Sequence, residues 1–427
     1  MQVNRVKQKF IINNLKDSRP MITSSVGYFV FTLIYVLFTD SLWTYTWDNP
    51  LPYYIVNIAV AVFAMVSAIL ILLNAKDIAI KKLIIPILIY VGIILNIIVN
   101  KGISFGYIQK LSYPLIGLLL CITLDFNKLA KAFVQVMLFL AVWSIVLWIM
   151  AQFKLEEFLP IIKNVTGTEF HNAIFAFIPV HGDSLIRNWG VFWEPGAFQA
   201  YLCLAVIFDL FYLKDKKPIK MLILALAALL TFSTTGFLCI ALILFVYLVA
   251  GNKKFTINKV TILLFGLVGL IVIFSSEKIM DMVFGKFDFD DINDSSSFGA
   301  RYYSIIGNIV IMFKNGFLLG TGIEHYSEIY RSVVNGLGYF TDMSNTNTIF
   351  VDFARFGWLV GGVNVYLVFR FSKKLGDNLA QRIGIMLSIF MLLFMESFTY
   401  SLFWMSIMYF SFDIFDKEKK NENSLSM

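Results

Sequence analysis

Polar residues interrupt this chain only at intervals. The apolar runs between them reach about 18 residues or more, enough to cross the hydrocarbon core of a bilayer as helices. They predict spans near 21–39, 52–74, 83–100, 104–124, 132–153 and 195–213, with further spans over 259–275 and 346–371. The run between Lys220 and Lys253 is too long for one crossing and short for two. Ser233-Thr234-Thr235-Gly236 near its centre predicts a tight hairpin of two short helices. The run from Arg382 to Asp413 repeats this pattern, with Glu396-Ser397-Phe398-Thr399 at its tip. The expected fold class is therefore all-α: a polytopic integral membrane protein, one membrane domain over 1–427, with about twelve spans and both termini on one side. Two long polar loops, 154–194 and 276–345, break the series. The second contains an amphipathic stretch, 301–319, that fits a surface or re-entrant helix.

Composition supports this picture and narrows it. The chain is 59% hydrophobic with a mean hydropathy of +0.76, a balance that excludes a soluble domain of this size. The net charge of +7 does not point to nucleic acid, because the basic residues sit in short clusters between apolar runs. Of the 35 basic residues, 24 fall on the side shared by the termini and nine on the other, with Lys110 and Arg355 inside spans. By the positive-inside rule, that asymmetry puts both long loops outside the cytoplasm. No small-residue cleavage site follows the first span, so a retained anchor is expected there. Cys121, Cys203 and Cys239 all lie in apolar runs and read as small core residues. His171, His181 and His325 are too scattered for a zinc motif.

Candidate chemistry concentrates where the first long loop meets a span, at Ile186-Arg187-Asn188-Trp189-Gly190-Val191-Phe192-Trp193-Glu194-Pro195-Gly196. Glu194-Pro195-Gly196 is a helix-start signal, because proline has no N–H to leave unpaired in the first turn. Arg187 and Glu194, with Trp189 and Trp193 between them, offer the cation, carboxylate and flat rings that an anionic, sugar-bearing lipid headgroup needs. An interfacial loop with an aromatic belt shows the same composition. In the second loop, Arg301 opens a helical segment behind the acidic, serine-rich run 288–297. That run lacks the mid-loop glycine and closing glutamate of a calcium loop. Its serines suit a helix cap, and a helix N-terminus beside a guanidinium makes an anion site. Gly320-Thr321-Gly322-Ile323-Glu324-His325 reads as a glycine-rich turn followed by an acid and an imidazole able to accept a proton. Asn345, Thr348, Asp352 and Arg355 recur at helical spacing at the start of the 346–371 span. Charges at that depth face a bundle interior or a wet cavity, or pair with each other within the helix. Gly357, Gly361 and Gly362 would let another helix pack close.

Three pieces stand in order: Arg187-x-x-Gly190-x-Phe192-x-Glu194-Pro195-Gly196, then Arg301 leading to Gly320-Thr321-Gly322, then Asn345-Thr346-Asn347 leading to Gly357. This order resembles the O-antigen polymerase and ligase superfamily over about 187–362. The resemblance implies a GT-C-type, multi-span bacterial glycosyltransferase of the cytoplasmic membrane. Such an enzyme polymerises undecaprenyl-pyrophosphate-linked repeat units into O-antigen, capsule or exopolysaccharide. Arg187 and Arg301 would hold the lipid pyrophosphate, since a guanidinium fork binds phosphate oxygens bidentately. Glu194 and His325 are rival proton acceptors, and Trp189, Trp193, Asn345, Asn347, Asp352 and Arg355 are further substrate-binding candidates. Ligases carry a histidine immediately before the asparagine of the last motif. Thr346 stands there in this chain, which favours a Wzy-type polymerase over a ligase. The Arg-x10-Gly spacing of some polymerases is absent, as Phe198 occupies that place after Arg187. A flippase or secondary transporter for lipid-linked sugars is the alternative from another class. The implied partners are the lipid-linked donor and acceptor, membrane lipid, a chain-length regulator and a flippase. No cofactor, metal or nucleic acid is implied.

Overall fold

The computed structural model describes residues 22–44, 51–73, 80–164, 167–180, 186–214, 217–250, 259–260, 264, 266, 297–314, 318–338 and 345–412. The expected span over 259–275 and the run 288–297 fall almost entirely outside the described residues, as does His181. The described chain is predominantly helical. Its helices are α1 (Ser25–Asp40), α2 (Leu51–Leu73), α3 (Ile80–Asn100), α4 (Phe105–Thr123), α5 (Phe126–Gln152), α6 (Pro195–Ile207), α7 (Pro218–Leu229) and α8 (Thr234–Ala250). They continue with α9 (Ser297–Lys314), α10 (Gly322–Gly336), α11 (Ile349–Leu375), α12 (Leu379–Met395) and α13 (Leu402–Ile407). Among the described residues, four stretches are long and apolar enough to cross a membrane: Leu83–Asn100, Phe105–Thr123, Phe126–Gln152 and Pro195–Leu213. Shorter apolar helices accompany them, and the chain is an all-α membrane protein in architecture.

Local signals set several helix starts. Ser24, Asp125, Asn378 and Ser401 each accept a backbone N–H three residues on, at 3.0, 2.9, 2.9 and 3.1 Å, and so cap α1, α5, α12 and α13. The first expected hairpin forms, α7 turning at 230–233 to pack against α8; the chain also turns at 396–401, but α12 packs on α8 and α11 whereas α13 packs on α4 and α1, so the second expected hairpin does not form.

Helix α6 is the axis of the bundle. All of its residues are buried, and it packs against α5, α7 and α8. It runs on as a π-helical turn, Phe208–Leu213. An aromatic core forms where Tyr201 of α6 meets Phe133 of α5 and Phe403 and Trp404 of α13. At the same level Asp40 ends α1 and accepts hydrogen bonds from Tyr201, from Ser401 at 2.7 Å and from Thr39 at 3.0 Å. One buried carboxylate thus ties α1, α6 and the α12–α13 turn together. The peripheral helices α2 and α3 turn large apolar side chains outward, among them Ile58, Val62 and Ile98, as a lipid-facing surface does.

Other features depart from the pattern read in the sequence. The first long loop contains a small antiparallel sheet, β1 (Ile161–Lys163), β2 (Glu169–Asn172) and β3 (Phe177–Pro179). It pairs Ile161 with His171 and Phe170 with Pro179. The glycine-rich turn at 320–322 opens a regular helix, α10, where extended loop was expected. The amphipathic stretch, expected over 301–319, is α9 at 297–314.

The last departure is α11. It begins at Ile349, so Asn345 and Asn347 precede the helix and share no helical face with Asp352. It also breaks at Gly357, whose φ of 86° and ψ of 178° lie in a region that a side chain makes costly. A loop fills the break where a packed helix was expected. Thr321 N–H donates to the Ala354 carbonyl at 2.8 Å, Asn96 Nδ2 to the Arg355 carbonyl at 2.8 Å, and Trp358 N–H to Leu318 at 3.0 Å. The broken helix therefore keeps its backbone hydrogen-bonded, as an apolar environment requires.

Candidate functional site

Asn188 ties the segment 186–194 to the end of α7. Its backbone N–H donates to the Leu230 carbonyl at 2.9 Å and its side chain to Ser144 Oγ at 3.1 Å. Beside it, Arg187 Nε donates to the Thr231 carbonyl at 3.0 Å. The chain then reaches Glu194, the extended N-cap of α6, followed by Pro195 at the first helical position. The Glu194 carboxylate does not cap its own helix. It accepts instead from Trp193 Nε1 at 3.2 Å. The positive end of the α6 dipole favours negative charge at this point.

A second carboxyl meets the first there. Glu396, in the connection between α12 and α13 and outside both helices, is 2% exposed, and its carboxyl lies against Gly196 at the head of α6, where the Glu194 carboxyl acts on it. Its Oε1 lies 3.9 Å from Arg301 Nη2 of α9, and the charge of Arg187 also acts on it. Gly196 makes the approach feasible: a methyl group on its Cα would sit 2.6 Å from Glu396 Cδ. The backbone of Glu396 is clamped as well. Thr348 Oγ1 donates to the Glu396 carbonyl at 2.5 Å and accepts from Phe398 N–H at 2.7 Å. Burial pushes the Glu396 carboxyl well above the usual carboxylate range. Glu194 pushes it the same way, and Arg301 and Arg187 oppose.

Arg301 and Glu194 therefore approach Glu396, with the charge of Arg187 acting there and Trp193 held on Glu194. The other sequence candidates lie elsewhere. Trp189 packs edge-on against Phe170 of β2, with ring centroids 5.4 Å apart. Asn345 bridges α9 and α10, accepting from Ser304 at 2.8 Å and donating to the Tyr326 hydroxyl. Asn347 holds the end of α12 by donating to the Phe394 carbonyl at 3.1 Å, and it caps α11 through Phe350 N–H at 2.8 Å. Asn345 and Asn347 thus position the segment that clamps Glu396. His325 is on the exposed face of α10, with no hydrogen bond among the described residues.

Asp352 and Arg355 do not pair with each other. Asp352 forms a buried ion pair with Lys110 of α4 at 2.8 Å and accepts from Asn364 at 2.6 Å. Arg355 stacks on the Tyr326 ring, 4.2 Å from its centroid, and reaches the Tyr400 hydroxyl at 3.3 Å. Small cavities of about 20 and 10 Å³ flank the ion pair, one lined by Lys110 and Asn364 and the other by Asp352 and Asn364.

Sequence reading missed Glu396 and Lys110 as site residues. A signal existed for the first: Glu396 is the one charged residue between Arg382 and Asp413. Lys110 had a weaker signal, as a single cation inside a span. Among the described residues no group of three or more His, Cys, Asp or Glu side chains is placed to hold a metal ion. Comparison of the chain with protein-family models, curated proteins and solved structures finds no match.

Proposed function

We propose that the protein is a glycosyltransferase of the bacterial cytoplasmic membrane, of the O-antigen polymerase type. In this reading about twelve spans form a GT-C-like bundle, both termini are cytoplasmic, and residues 154–194 and 276–345 face outward. The enzyme joins undecaprenyl-pyrophosphate-linked oligosaccharide units into a surface polysaccharide. The acceptor hydroxyl attacks the anomeric carbon of the donor chain while the bond to the diphosphate oxygen breaks, and the electron pair leaves on the diphosphate. Arg187 and Arg301 stabilise the charge that grows there, and Glu194 accepts the hydroxyl proton. The supporting observation is the meeting of two cations with a carboxylate pair at the start of a buried helix.

Deletion in the native host tests this reading. Lipid-linked single units should accumulate outside the membrane, and polymer should return with the wild-type chain but not with Arg187→Ala or Arg301→Ala. Undiminished polymer in the deletion strain would refute the proposal.

The buried Lys110–Asp352 pair and the break at Gly357 favour a second reading, a transporter of lipid-linked sugars, since such proteins place charges and broken helices at mid-membrane. The same deletion separates the two: a transporter leaves single units inside.

A further inference from the structure

Any anion held by Arg187 and Arg301 has to share them with Glu194 and Glu396. Among the described residues, the charged groups facing Glu396 are Glu194 at the head of α6, Arg301 on α9 and Arg187 ahead of α6. Glu396 cannot swing out of the way. Gly196 closes one side of its carboxyl, Thr348 grips its backbone, and the residue is 2% exposed. Glu194 stands at the N-cap of α6, two residues before the glycine that Glu396 lies against, and two carboxyls sharing a buried site repel when both are ionised, so the site favours one proton between them. Glu194 is the more exposed member and takes the Trp193 indole N–H. Glu396 is the enclosed member, and enclosure suits the neutral acid.

A diphosphate diester brings two negative charges. With both glutamates ionised, it would face two carboxylates across two arginines. With one proton present it faces one. Ligand and proton must then favour each other, and the coupling is reciprocal. We propose that this is a proton-linked anion site, in which a lipid diphosphate headgroup binds together with one proton carried on Glu396. The proton moves from solvent to a Glu396 carboxylate oxygen, and no other bond changes. Glu194 is left to accept the acceptor's proton. The inference rests on the proposal that Arg187 and Arg301 bind diphosphate.

The test is direct binding by the full chain in detergent or nanodiscs. The probe is a farnesyl-linked sugar diphosphate, a diester that does not itself titrate near neutral pH. Calorimetry between about pH 6 and about pH 9, in buffers of different ionisation enthalpy, reads both affinity and protons exchanged. Wild type should bind more weakly as pH rises, by up to about tenfold per pH unit, with uptake of up to one proton. Glu396→Gln should bind without pH dependence and more tightly than wild type at the alkaline end. If that variant does not fold, Glu194→Gln carries the test, because a lone Glu396 beside two arginines should titrate at lower pH and shift the slope with it. Binding of equal strength across the range by wild type, or an unchanged slope in the folded variants, would overturn the proton linkage alone. Absence of binding by wild type at every pH would overturn the diphosphate reading beneath it.

Discussion

Gly196→Ala should disable the site through one methyl group. The new carbon would sit 2.6 Å from Glu396 Cδ, whereas non-bonded carbons settle at about 3.5 Å. The carboxyl must therefore retreat by about 1 Å. A carboxylate is the far end of a flexible side chain, but this one is enclosed and moves only by leaving its partners. Displacing the carboxyl from its polar neighbours costs about 1 kcal/mol, and residual overpacking adds about 1–3 kcal/mol. Alanine's better helix propensity returns at most about 1 kcal/mol. We expect a net destabilisation of about 2 kcal/mol, read by thermal unfolding in detergent. Displacing a reacting group by about 1 Å can cost a hundredfold in rate, which should leave little long polymer on polysaccharide gels. Glu396→Asp shortens the side chain by about 1.5 Å and should restore stability and part of the polymer when combined with Gly196→Ala. A silent Gly196→Ala, or a double variant worse than either single, would refute the contact between the two residues.

Removing Lys110 by Lys110→Met should destabilise the protein by about 3–5 kcal/mol, because Asp352 stays buried without its ion-pair partner; the double variant Lys110→Met, Asp352→Leu should recover most of this loss in thermal melts. Arg187→Ala and Arg301→Ala should each lower polymerisation about a hundredfold, or about 3 kcal/mol, in membranes with normal protein levels. Arg→Lys should restore little, since the ammonium lacks the bidentate fork. Glu194→Gln should reduce chain length on gels far more than His325→Gln, because Glu194 stands at the N-cap of α6 beside Glu396 whereas His325 is exposed on α10. A silent Glu194→Gln with an inactive His325→Gln would reverse that assignment.

Much of this molecule was written locally. Apolar run length marks the helices, and polar breaks within over-long runs mark the turns at 230–233 and 396–401, because both reflect what a short stretch needs in lipid. Glu194-Pro195-Gly196 likewise marks the start of α6, since proline's missing N–H is a property of one residue. The same locality marks Arg187 and Glu194 as neighbours. Partnership across the fold carries no such local mark. An ionisable residue in an apolar run must find a partner, but hydropathy does not say which one. Asp352 and Arg355 stand at helical spacing, yet packing gives Asp352 to Lys110 and Arg355 to Tyr326. The break at Gly357 likewise depends on Leu318, Thr321 and Asn96 arriving to take the freed backbone groups. The join between Glu194 and Glu396 belongs to tertiary structure for the same reason. It exists because the α12–α13 turn is clamped by Thr348 over the head of α6, where a residue without a side chain leaves space for a carboxyl.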